Sequence, residues 1–339
     1  MNLDVLKSVA RDMVANGKGI LAADESSPTI KKRFDTINTE STEENRRRYR
    51  EMLFTTPGIA DYIGGVILFD ETLRQSTADG VPFARYLSDI GCIPGIKVDK
   101  GAKALAGFPG EKVTEGLDGL RERFAEYREL GAKFAKWRAV ITIGDGIPSD
   151  YCLRANAHAL ARYAALSQEA DIVPIVEPEV LMDGDHSIGR CEEVTDAALD
   201  AVFEELRAHK VALEGIVLKP NMVISGTEAS NRAGPREVAE ATLRCLKAHV
   251  PAEVPGIAFL SGGQSAEEAT EHLGIMNQMG KLPWELSFSY GRALQAPALE
   301  AWQGKEANFA AGQAALFKRA KLNSLAHLGQ YEVDMETAA

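Results

Sequence analysis

Short apolar segments alternate along the chain with longer segments that carry apolar residues at helical spacing. Continuous apolar runs of this length are typical of parallel strands that are buried on both faces. Eight such runs occur, at residues 19–24, 64–70, 93–99, 134–140, 172–178, 214–220, 256–262 and 286–292. The pattern therefore predicts eight strands that alternate with helices.

The segments between the predicted strands carry local signals for helix ends. Ser41 with Glu44, and Ser265 with Glu268, have the spacing of a capping box at a helix N-terminus. Gly131 follows an amphipathic segment in the way that a glycine follows the last turn of a helix. After the eighth predicted strand, the sequence predicts helix to about residue 325.

Eight strands alternating with helices predict an α/β fold, and the closed (β/α)₈ barrel of the TIM type is the favoured architecture. We expect residues 1–325 to form the barrel as a single domain and residues 326–339 to form a loose C-terminal tail. The alternative is a doubly wound open sheet. That fold commonly carries a G-x-G-x-x-G turn after its first strand, and the sequence has no such turn there.

Composition and charge narrow the class of protein. Of the 339 residues, 45% are hydrophobic and 26% are charged, as in soluble globular domains. The four cysteines fit no zinc or redox spacing, which predicts a reduced, cytoplasmic chain. Neither a signal peptide nor a long apolar run is found in the sequence, and the net charge is −11. We therefore expect neither a membrane nor nucleic acid as a partner.

Polar residues lie near the C-terminal ends of the predicted strands, which is where barrel enzymes carry their active sites. An ion pair would account for any one charged residue in a buried strand. Polar groups on seven of the eight strands are better explained by a shared cavity. These residues are Asp24, Lys97, Lys136, Arg138, Glu177, Glu179, Lys219, Ser261 and Arg292.

Five of these residues are cations, which favours a phosphorylated substrate in a chain that is acidic overall. The SGGQS segment at 261–265 comes after the seventh predicted strand and directly before a predicted helix. Backbone amides at such a position bind anions, and barrels often hold a phosphate after strands seven and eight. Gly291 and Arg292 lie at the end of the eighth predicted strand. A glycine pair alone is more often a tight turn, but this position favours a phosphate site.

Lys219 is the candidate nucleophile because it ends the sixth predicted strand, directly before Pro220. A lysine must be neutral to attack a carbonyl group, and burial near another cation such as Lys136 favours the neutral amine. The alternative is a lysine whose head simply reaches solvent from the strand end.

Glu177 and Glu179 lie two residues apart, so a strand places both carboxylates on one face. Two neighbouring carboxylates separate in pKa, which leaves one able to transfer protons. The alternatives are a surface turn, or a metal site completed by Asp183, Asp185 and His186. The surrounding lysines and arginine argue against a metal.

Seven motifs of the chain resemble those of class I fructose-bisphosphate aldolases, the metal-independent Schiff-base type. They are GKGILAADES at 17–26, GIKVDKG at 95–101, AKWRAV at 135–140, VEPEVLMDGDH at 176–186, LEGIVLKPNMV at 213–223, FLSGGQS at 259–265 and FSYGRALQ at 288–295. Because the motifs occur in order and are distributed from residue 17 to residue 295, the resemblance is specific.

The resemblance implies a (β/α)₈ barrel, a homotetramer and a role in glycolysis and gluconeogenesis. The implied reaction is reversible cleavage of fructose 1,6-bisphosphate into glycerone phosphate and glyceraldehyde 3-phosphate. No cofactor is implied, because an iminium on the lysine replaces the divalent ion of metal-dependent aldolases.

Matched position by position, the resemblance makes Lys219 the Schiff-base lysine, Glu177 the acid/base and Glu179 the residue that supports Schiff-base formation. Asp24 corresponds to the aspartate that assists carbon–carbon cleavage, and Lys136 to the catalytic lysine of KWR.

The remaining matches are to substrate-binding positions. Arg138 corresponds to the substrate-binding arginine and Lys97 to the lysine of the third strand. Ser26 and Arg33 correspond to positions lining the side of the second phosphate. The site of the 1-phosphate corresponds to Ser261, Gly262, Tyr290, Gly291 and Arg292.

The chain departs from the family pattern at two places. Vertebrate members end in a tyrosine that assists the late proton transfer, whereas the last tyrosine here is Tyr331, followed by eight residues. We therefore do not expect a tyrosine at the chain end to assist. Pro28 and Thr29 replace the glycine and serine of many relatives, and Thr29 is a candidate phosphate contact.

Three other functions remain open. One is a transaldolase-like or single-phosphate aldolase, against which Arg33 and Arg292 argue if they lie on opposite sides of the cavity. Another is a non-catalytic scaffold, against which the joint presence of the predicted catalytic residues argues. The last is a metal-dependent lyase, which a chelator would inhibit.

Overall fold

The computed structural model describes residues 1–337 and has a closed barrel of eight parallel strands at its centre. The strands in chain order are β1 (Gly19–Ala23), β2 (Ile63–Leu68), β3 (Ile93–Lys97), β4 (Ala102–Ala104), β5 (Lys112–Thr114), β6 (Phe134–Ile141), β7 (Val173–Val180), β8 (Val217–Leu218), β9 (Gly256–Phe259) and β10 (Glu285–Tyr290). β4 and β5 form a separate antiparallel hairpin, and the other eight follow each other around the barrel as β1-β10-β9-β8-β7-β6-β3-β2. The predicted (β/α)₈ barrel is confirmed, and the open sheet is wrong.

Helices surround the barrel and close its N-terminal end. They are α1 (Leu3–Met13), α2 (Ser27–Asp35), α3 (Glu43–Phe54), α4 (Asp70–Leu73), α5 (Phe83–Asp89), α6 (Leu120–Glu129), α7 (Asp150–Glu169), α8 (Ile188–Ala208), α9 (Pro235–His249), α10 (Ala266–Gln278), α11 (Arg292–Trp302) and α12 (Phe309–His327). α1 packs under the barrel with Leu6, Ala10 and Met13 in the same apolar cluster as the strand residues of the interior. None of the helices in residues 1–337 is long and apolar enough to cross a membrane.

Alternation along the strands divides the barrel interior into an apolar lower layer and a charged upper layer. In β6, Phe134 belongs to the interior cluster, and Lys136 lies two residues further along on the same face. In β8, Val217 belongs to that cluster and Lys219 follows it by two residues. A Cβ on Gly95 would lie 2.3 Å from the ring of Phe134, so only glycine at this position leaves space for that ring in the barrel interior.

Two of the three predicted local helix signals are confirmed. Ser265 and Glu268 form a complete capping box at the start of α10, and Gly131 follows α6 with φ of 101°. The capping box at Ser41 is wrong. The cap of α3 is Thr42, whose side chain accepts from the amide of Asn45, because the helix begins one residue later than predicted.

The C-terminal segment is packed further than expected. Helix α12 runs to His327, beyond the predicted end near residue 325, and Gln303 in the left-handed region separates it from α11. Tyr331 is only 4% exposed and donates to Glu336, whose carboxylate also binds Arg319. The expectation of a loose tail is therefore wrong for these residues. Residues 338 and 339 of the predicted tail lie outside the described residues.

Candidate active site

A cavity of about 410 Å³ opens at the C-terminal ends of the barrel strands. All predicted site residues except Tyr290 line it, together with residues that the sequence did not predict. The predicted members are Asp24, Ser26, Arg33, Lys97, Lys136, Arg138, Glu177, Glu179, Lys219, Ser261, Gly262, Gly291 and Arg292. Strand ends that lie far apart in the sequence thus meet in one place, as expected for a barrel site.

Two lysines and two carboxylates alternate at the centre of the cavity. Glu177 Oε1 lies 3.1 Å from Lys219 Nζ, and its Oε2 lies 3.3 Å from Lys136 Nζ. Lys136 Nζ lies 2.7 Å from Asp24 Oδ2. Three of these side chains are buried, namely those of Lys136, Glu177 and Lys219. Because little water reaches them, the opposite charges stabilise one another.

The two carboxylates of this group are held in their charged form. Burial alone would raise the pKa of Asp24, but the ammonium groups of Lys136 and Lys219 bring it well below its usual value. The pKa of Glu177 is lowered for the same reason, against the effect of its burial. Both groups are therefore ionised at neutral pH and able to accept a proton.

Lys136 and Lys219 differ in their surroundings. Burial favours the neutral form of Lys136, yet the carboxylates of Asp24 and Glu177 raise its pKa above the usual lysine value. A lysine held as a cation by two carboxylates is a poor nucleophile and a good electrostatic partner. Lys219 contacts one of these carboxylates, Glu177, and Lys136 contacts both, which leaves Lys219 as the candidate nucleophile.

Glu177 also has an oxygen that is free for a substrate. Its buried Oε2 has no hydrogen-bond partner among the described residues, because Lys136 approaches it outside hydrogen-bond geometry. A buried oxygen of this kind is costly unless a ligand completes its contacts. Glu179 differs, since its carboxylate pairs with the guanidinium of Arg138 and burial raises its pKa above the usual value.

The ends of β9 and β10 form one side of the cavity. Ser261 and Gly262 line it directly before the capping box that opens α10. Arg292 Nη2 lies 3.4 Å from the carbonyl oxygen of Gln264, in the same loop. Amides at the start of this 13-residue helix and an arginine beside them suit a phosphate.

Arg33 lies on this same side, beside Gly291, whereas the resemblance placed it on the side of the second phosphate. A Cβ on Gly291 would lie 3.7 Å from Nη2 of Arg33. The prediction grouped Arg33 with Ser26, which caps the N-terminus of α2 seven positions earlier, so their Cα atoms lie about 10 Å apart along the helix axis. Arg33 and Arg292 are therefore neighbours, and they cannot by themselves indicate two phosphates.

Tyr290 does not line the cavity, whereas Ser289 does. The hydroxyl of Tyr290 is buried and donates to the carbonyl of Ala269 in α10, on the outer face of the barrel. Ser289 lies on the inner face, and its Oγ is buried without a hydrogen-bond partner in the described part of the chain. The period-two alternation of β10 was the signal that could have identified Ser289.

Glu25 is a second lining residue that the sequence analysis missed. It is 8% exposed, and its carboxylate binds Arg33 at 2.6 Å and Arg50 at 2.5 Å. The side-chain amide of Gln295 donates to the same carboxylate at 2.8 Å. Arg50 and Gln295 are far from Glu25 in the sequence, so no local pattern indicated this network.

A second group of polar residues lies across the barrel from the first. Lys97 on β3 lies 3.6 Å from Asp99, and Arg138 is on the neighbouring β6. In the strand order, β6 stands opposite β10 and β3 stands opposite β9. Ser26 and Thr29 also line the cavity, and their hydroxyl oxygens lie 3.2 Å apart. The cavity therefore has cations on opposite sides.

The predicted alternative of a metal site at Glu177 and Glu179 finds no geometric support. Within residues 1–337, these carboxylates do not form a close group of three ligands with Asp183, Asp185 or His186. Their nearest charged partners are the lysines and the arginine described above.

The fold and the site together define a (β/α)₈-barrel protein with a buried lysine and carboxylate centre between two cationic sides. A family model described as fructose-bisphosphate aldolase class-I matches residues 5–339. The chain therefore belongs to the class I fructose-bisphosphate aldolase family, whose members are lyases.

Individual relatives agree with this assignment. The chain is 60% identical over 333 residues to a probable fructose-bisphosphate aldolase class 1 of Xanthomonas campestris pv. campestris, covering 98% of this chain and 100% of the relative. It is 54% identical over 321 residues to the cytosolic fructose-bisphosphate aldolase 4 of Arabidopsis thaliana, covering 94% and 82%. The solved fructose-bisphosphate aldolase of Plasmodium falciparum, in complex with TRAP and a small-molecule inhibitor, is 50% identical, with a TM-score of 0.96 and coverage of 97% and 95%.

Proposed function

We propose that the protein reversibly cleaves fructose 1,6-bisphosphate into glycerone phosphate and glyceraldehyde 3-phosphate, in glycolysis and gluconeogenesis. The reaction runs through a Schiff base on Lys219 and needs no cofactor. The observation that carries this proposal is the placement of buried Lys219 3.1 Å from Glu177, while two carboxylates hold Lys136 as a cation.

The two cationic sides of the cavity support a bisphosphate substrate. We assign the 1-phosphate to the loop at Ser261 and Gly262, with Arg33 and Arg292 beside it. The 6-phosphate goes to the opposite side of the barrel. Its proposed partners are Lys97, Arg138, Ser26 and Thr29, which line that side or the rim next to it.

The first chemical stage forms the Schiff base. The neutral amine of Lys219 attacks the C2 ketone, and the carbinolamine loses water to give an iminium. Glu177 is placed to shuttle protons during this dehydration because it contacts Lys219 directly. Glu179, which pairs with Arg138, supplies a second carboxyl group in the same cavity and supports this stage.

The second stage breaks the C3–C4 bond. Glu177 removes the proton from the C4 hydroxyl, because its Oε2 is buried and lacks another hydrogen-bond partner in the described residues. The electron pair of the C3–C4 bond moves into the iminium, which leaves an enamine on Lys219 and releases glyceraldehyde 3-phosphate. Asp24, charged and paired with Lys136, orients the substrate hydroxyls. Protonation at C3 and hydrolysis then release glycerone phosphate.

Borohydride trapping tests the proposal. Reduction in the presence of fructose 1,6-bisphosphate should convert the iminium to a stable secondary amine, and peptide mass mapping should locate the adduct on Lys219. EDTA should leave both turnover and trapping unchanged. The matched control is Lys136→Arg, which retains Lys219 and should still form an adduct there, whereas Lys219→Arg should form none.

Each alternative function gives a different result. A metal-dependent lyase would lose activity on chelation, and a scaffold would show neither turnover nor adduct. A single-phosphate aldolase would turn over fructose 1-phosphate at least as well as the bisphosphate. An adduct on another lysine, or an unmodified Lys219 in active protein, would exclude the mechanism.

We further propose that the protein is a cytoplasmic homotetramer. The proposal rests on the family, because relatives from Arabidopsis thaliana and Spinacia oleracea are described as cytosolic or cytoplasmic. Light scattering after size-exclusion chromatography should give about four times the chain mass of 36.7 kDa. A monomer mass would contradict the assembly, and membrane or periplasmic fractionation would contradict the location.

A further inference from the structure

Three metal-ligating side chains meet on the helical layer, away from the catalytic cavity. His158 comes from the middle of α7, Glu205 from the last turns of α8, and His209 directly follows α8. One ring nitrogen of each histidine and one oxygen of Glu205 lie within 4.8 Å of one another. Among residues 1–337, this is the single group of three such side chains that meets so closely.

The spacing within this group is compatible with a shared ion, although the same atoms also contact one another directly in the free protein. Nδ1 of His158 and Nδ1 of His209 each lie 3.3 Å from Oε2 of Glu205. Direct charged hydrogen bonds are shorter, at about 2.7–2.9 Å. Nitrogen and oxygen ligands at about 2.0–2.1 Å from a tetrahedral ion are themselves about 3.3 Å apart.

The local backbone favours a cation at this place. His209 caps the C-terminus of α8, and its Nδ1 lies 2.9 Å from the carbonyl oxygen of Glu205. In this contact Nδ1–H of His209 donates to the carbonyl and holds the ring beside the carboxylate, so ligation of an ion by Nδ1 requires that the contact opens and that Nδ1 loses its proton. The C-terminal end of a helix carries partial negative charge, which stabilises a positive ion.

We propose that His158, Glu205 and His209 form a binding site for a divalent transition-metal ion such as Zn²⁺, with water as the remaining ligand. Imidazole and carboxylate donors suit Zn²⁺, Ni²⁺ or Cu²⁺ better than the oxygen-preferring Ca²⁺ and Mg²⁺. The ion ties α7 to α8 and stabilises the helical layer. None of the three residues lines the catalytic cavity, so the site is separate from the proposed lysine chemistry.

His249 provides a matched control for this site. It also lies beside α8, but each of its ring nitrogens contacts a different carboxylate, Asp200 at 2.6 Å and Asp196 at 3.1 Å. Nδ1 is hydrogen-bonded to Asp200, and Nε2 faces a second carboxylate, that of Asp196. Replacing His249 with glutamine makes the same chemical change as replacing His158 or His209, but it should leave metal binding unchanged.

The test is a titration of chelator-treated full-length protein with Zn²⁺ by calorimetry and with Co²⁺ by visible absorption. We expect one equivalent to bind with Kd on the order of micromolar, the intense visible bands of four-coordinate Co²⁺, and a Tm that rises on binding. His158→Gln and His209→Gln should each weaken binding at least about tenfold, and His249→Gln should not.

The side chain of His158 is 51% exposed, so its replacement should not disturb folding. The Tm of the metal-free variant, measured in the presence of chelator, should therefore equal that of the metal-free parent. Fructose 1,6-bisphosphate cleavage should be the same in all these variants. The proposal is overturned if no binding occurs at about 100 µM metal, or if His158→Gln binds Zn²⁺ and Co²⁺ as the parent does.

Discussion

The two cationic sides of the cavity differ in how their cations are held. On the β9–β10 side, Arg33 is fixed by the buried carboxylate of Glu25, which Arg50 and Gln295 hold in turn. On the β3–β6 side, Lys97 lies 3.6 Å from its nearest carboxylate. The side chain of Arg138 on that side is 44% exposed. Arg33 is thus supported by a network of several residues, whereas Lys97 has one longer contact and Arg138 pairs with a single carboxylate, that of Glu179.

The proposed reaction gives this difference a reason. Glycerone phosphate stays attached to Lys219 as an enamine after the bond breaks, so its phosphate should be held through the whole cycle. Glyceraldehyde 3-phosphate leaves first. A rigid arginine lowers the entropy lost on binding, while a loosely held lysine allows the first product to dissociate.

Breaking the network behind Arg33 should give the largest effect. Arg50→Met leaves Glu25 buried with only one arginine, and loss of one partner of a buried pair typically destabilises by about 3–5 kcal/mol. We expect a loss of about 3 kcal/mol in the free energy of unfolding, measured by urea denaturation. Since Arg33 loses its support, KM for fructose 1,6-bisphosphate should rise as well.

The matched control for Arg50 is Arg46 on the same helix. Its bidentate pair with Glu71 is partly exposed, so Arg46→Met should cost about 1 kcal/mol or less. KM should not change in this variant. Equal effects of the two substitutions would show that the burial of the Glu25 network is unimportant.

Removing Arg33 itself should give the next largest effect. Arg33→Ala should lower kcat/KM by about 100-fold, because one guanidinium makes two charge-assisted contacts with a phosphate. The loss should be similar for fructose 1,6-bisphosphate and fructose 1-phosphate, since both carry the 1-phosphate. Arg48→Ala, a surface change in the next helix, is the control. A loss confined to the bisphosphate would move Arg33 back to the other side of the cavity.

The β9–β10 side should also respond to acid. His272 is buried and contacts the side chain of Gln264, which belongs to the SGGQS segment at 261–265. Burial lowers the pKa of His272 from the usual 6.5 to about 4; the carboxylate of Glu268 opposes this shift and the charge of Arg232 adds to it. Between these values the unfolded chain binds a proton that the folded chain does not. Stability should therefore fall as pH decreases, by about 2 kcal/mol from pH 6.5 to pH 5.

Chemical denaturation of the parent and of His272→Gln across this range measures that contribution. The variant should lose the part of the pH dependence that belongs to His272, whereas His158→Gln on the surface should retain it. An unchanged pH profile in His272→Gln would mean that folding does not change the pKa of His272.

The sequence predicted the barrel and most of the cavity because both follow from local patterns. Buried parallel strands give continuous apolar runs, and a charged residue at the end of such a run must meet others at the same end of the barrel. Lys219 and Glu177 were found in this way. The same alternation indicates Ser289 instead of Tyr290, so that error was avoidable.

Other parts of the site depend on contacts between distant segments. Glu25 follows Asp24 directly, but its importance comes from Arg50 and Gln295, which packing alone brings to it. The side on which Arg33 lies depends on the direction of α2 relative to β10, for which no motif exists. Residues 331–336 were expected to be loose because the binding of Glu336 by Arg319 and Tyr331 is likewise a tertiary contact.

The smallest predicted effect is on the β3–β6 side of the cavity. Lys97→Met removes a partly exposed ammonium that contacts its carboxylate only at 3.6 Å, so we expect kcat/KM for fructose 1,6-bisphosphate to fall by about tenfold. Fructose 1-phosphate has no phosphate for this side, and its kcat/KM should change by less than about twofold. Lys100→Met, an exposed neighbour that does not line the catalytic cavity, should affect neither substrate. Equal losses for both substrates would show that Lys97 acts on the reacting centre through Asp24, whose pKa it helps to lower, and that the 6-phosphate is held elsewhere.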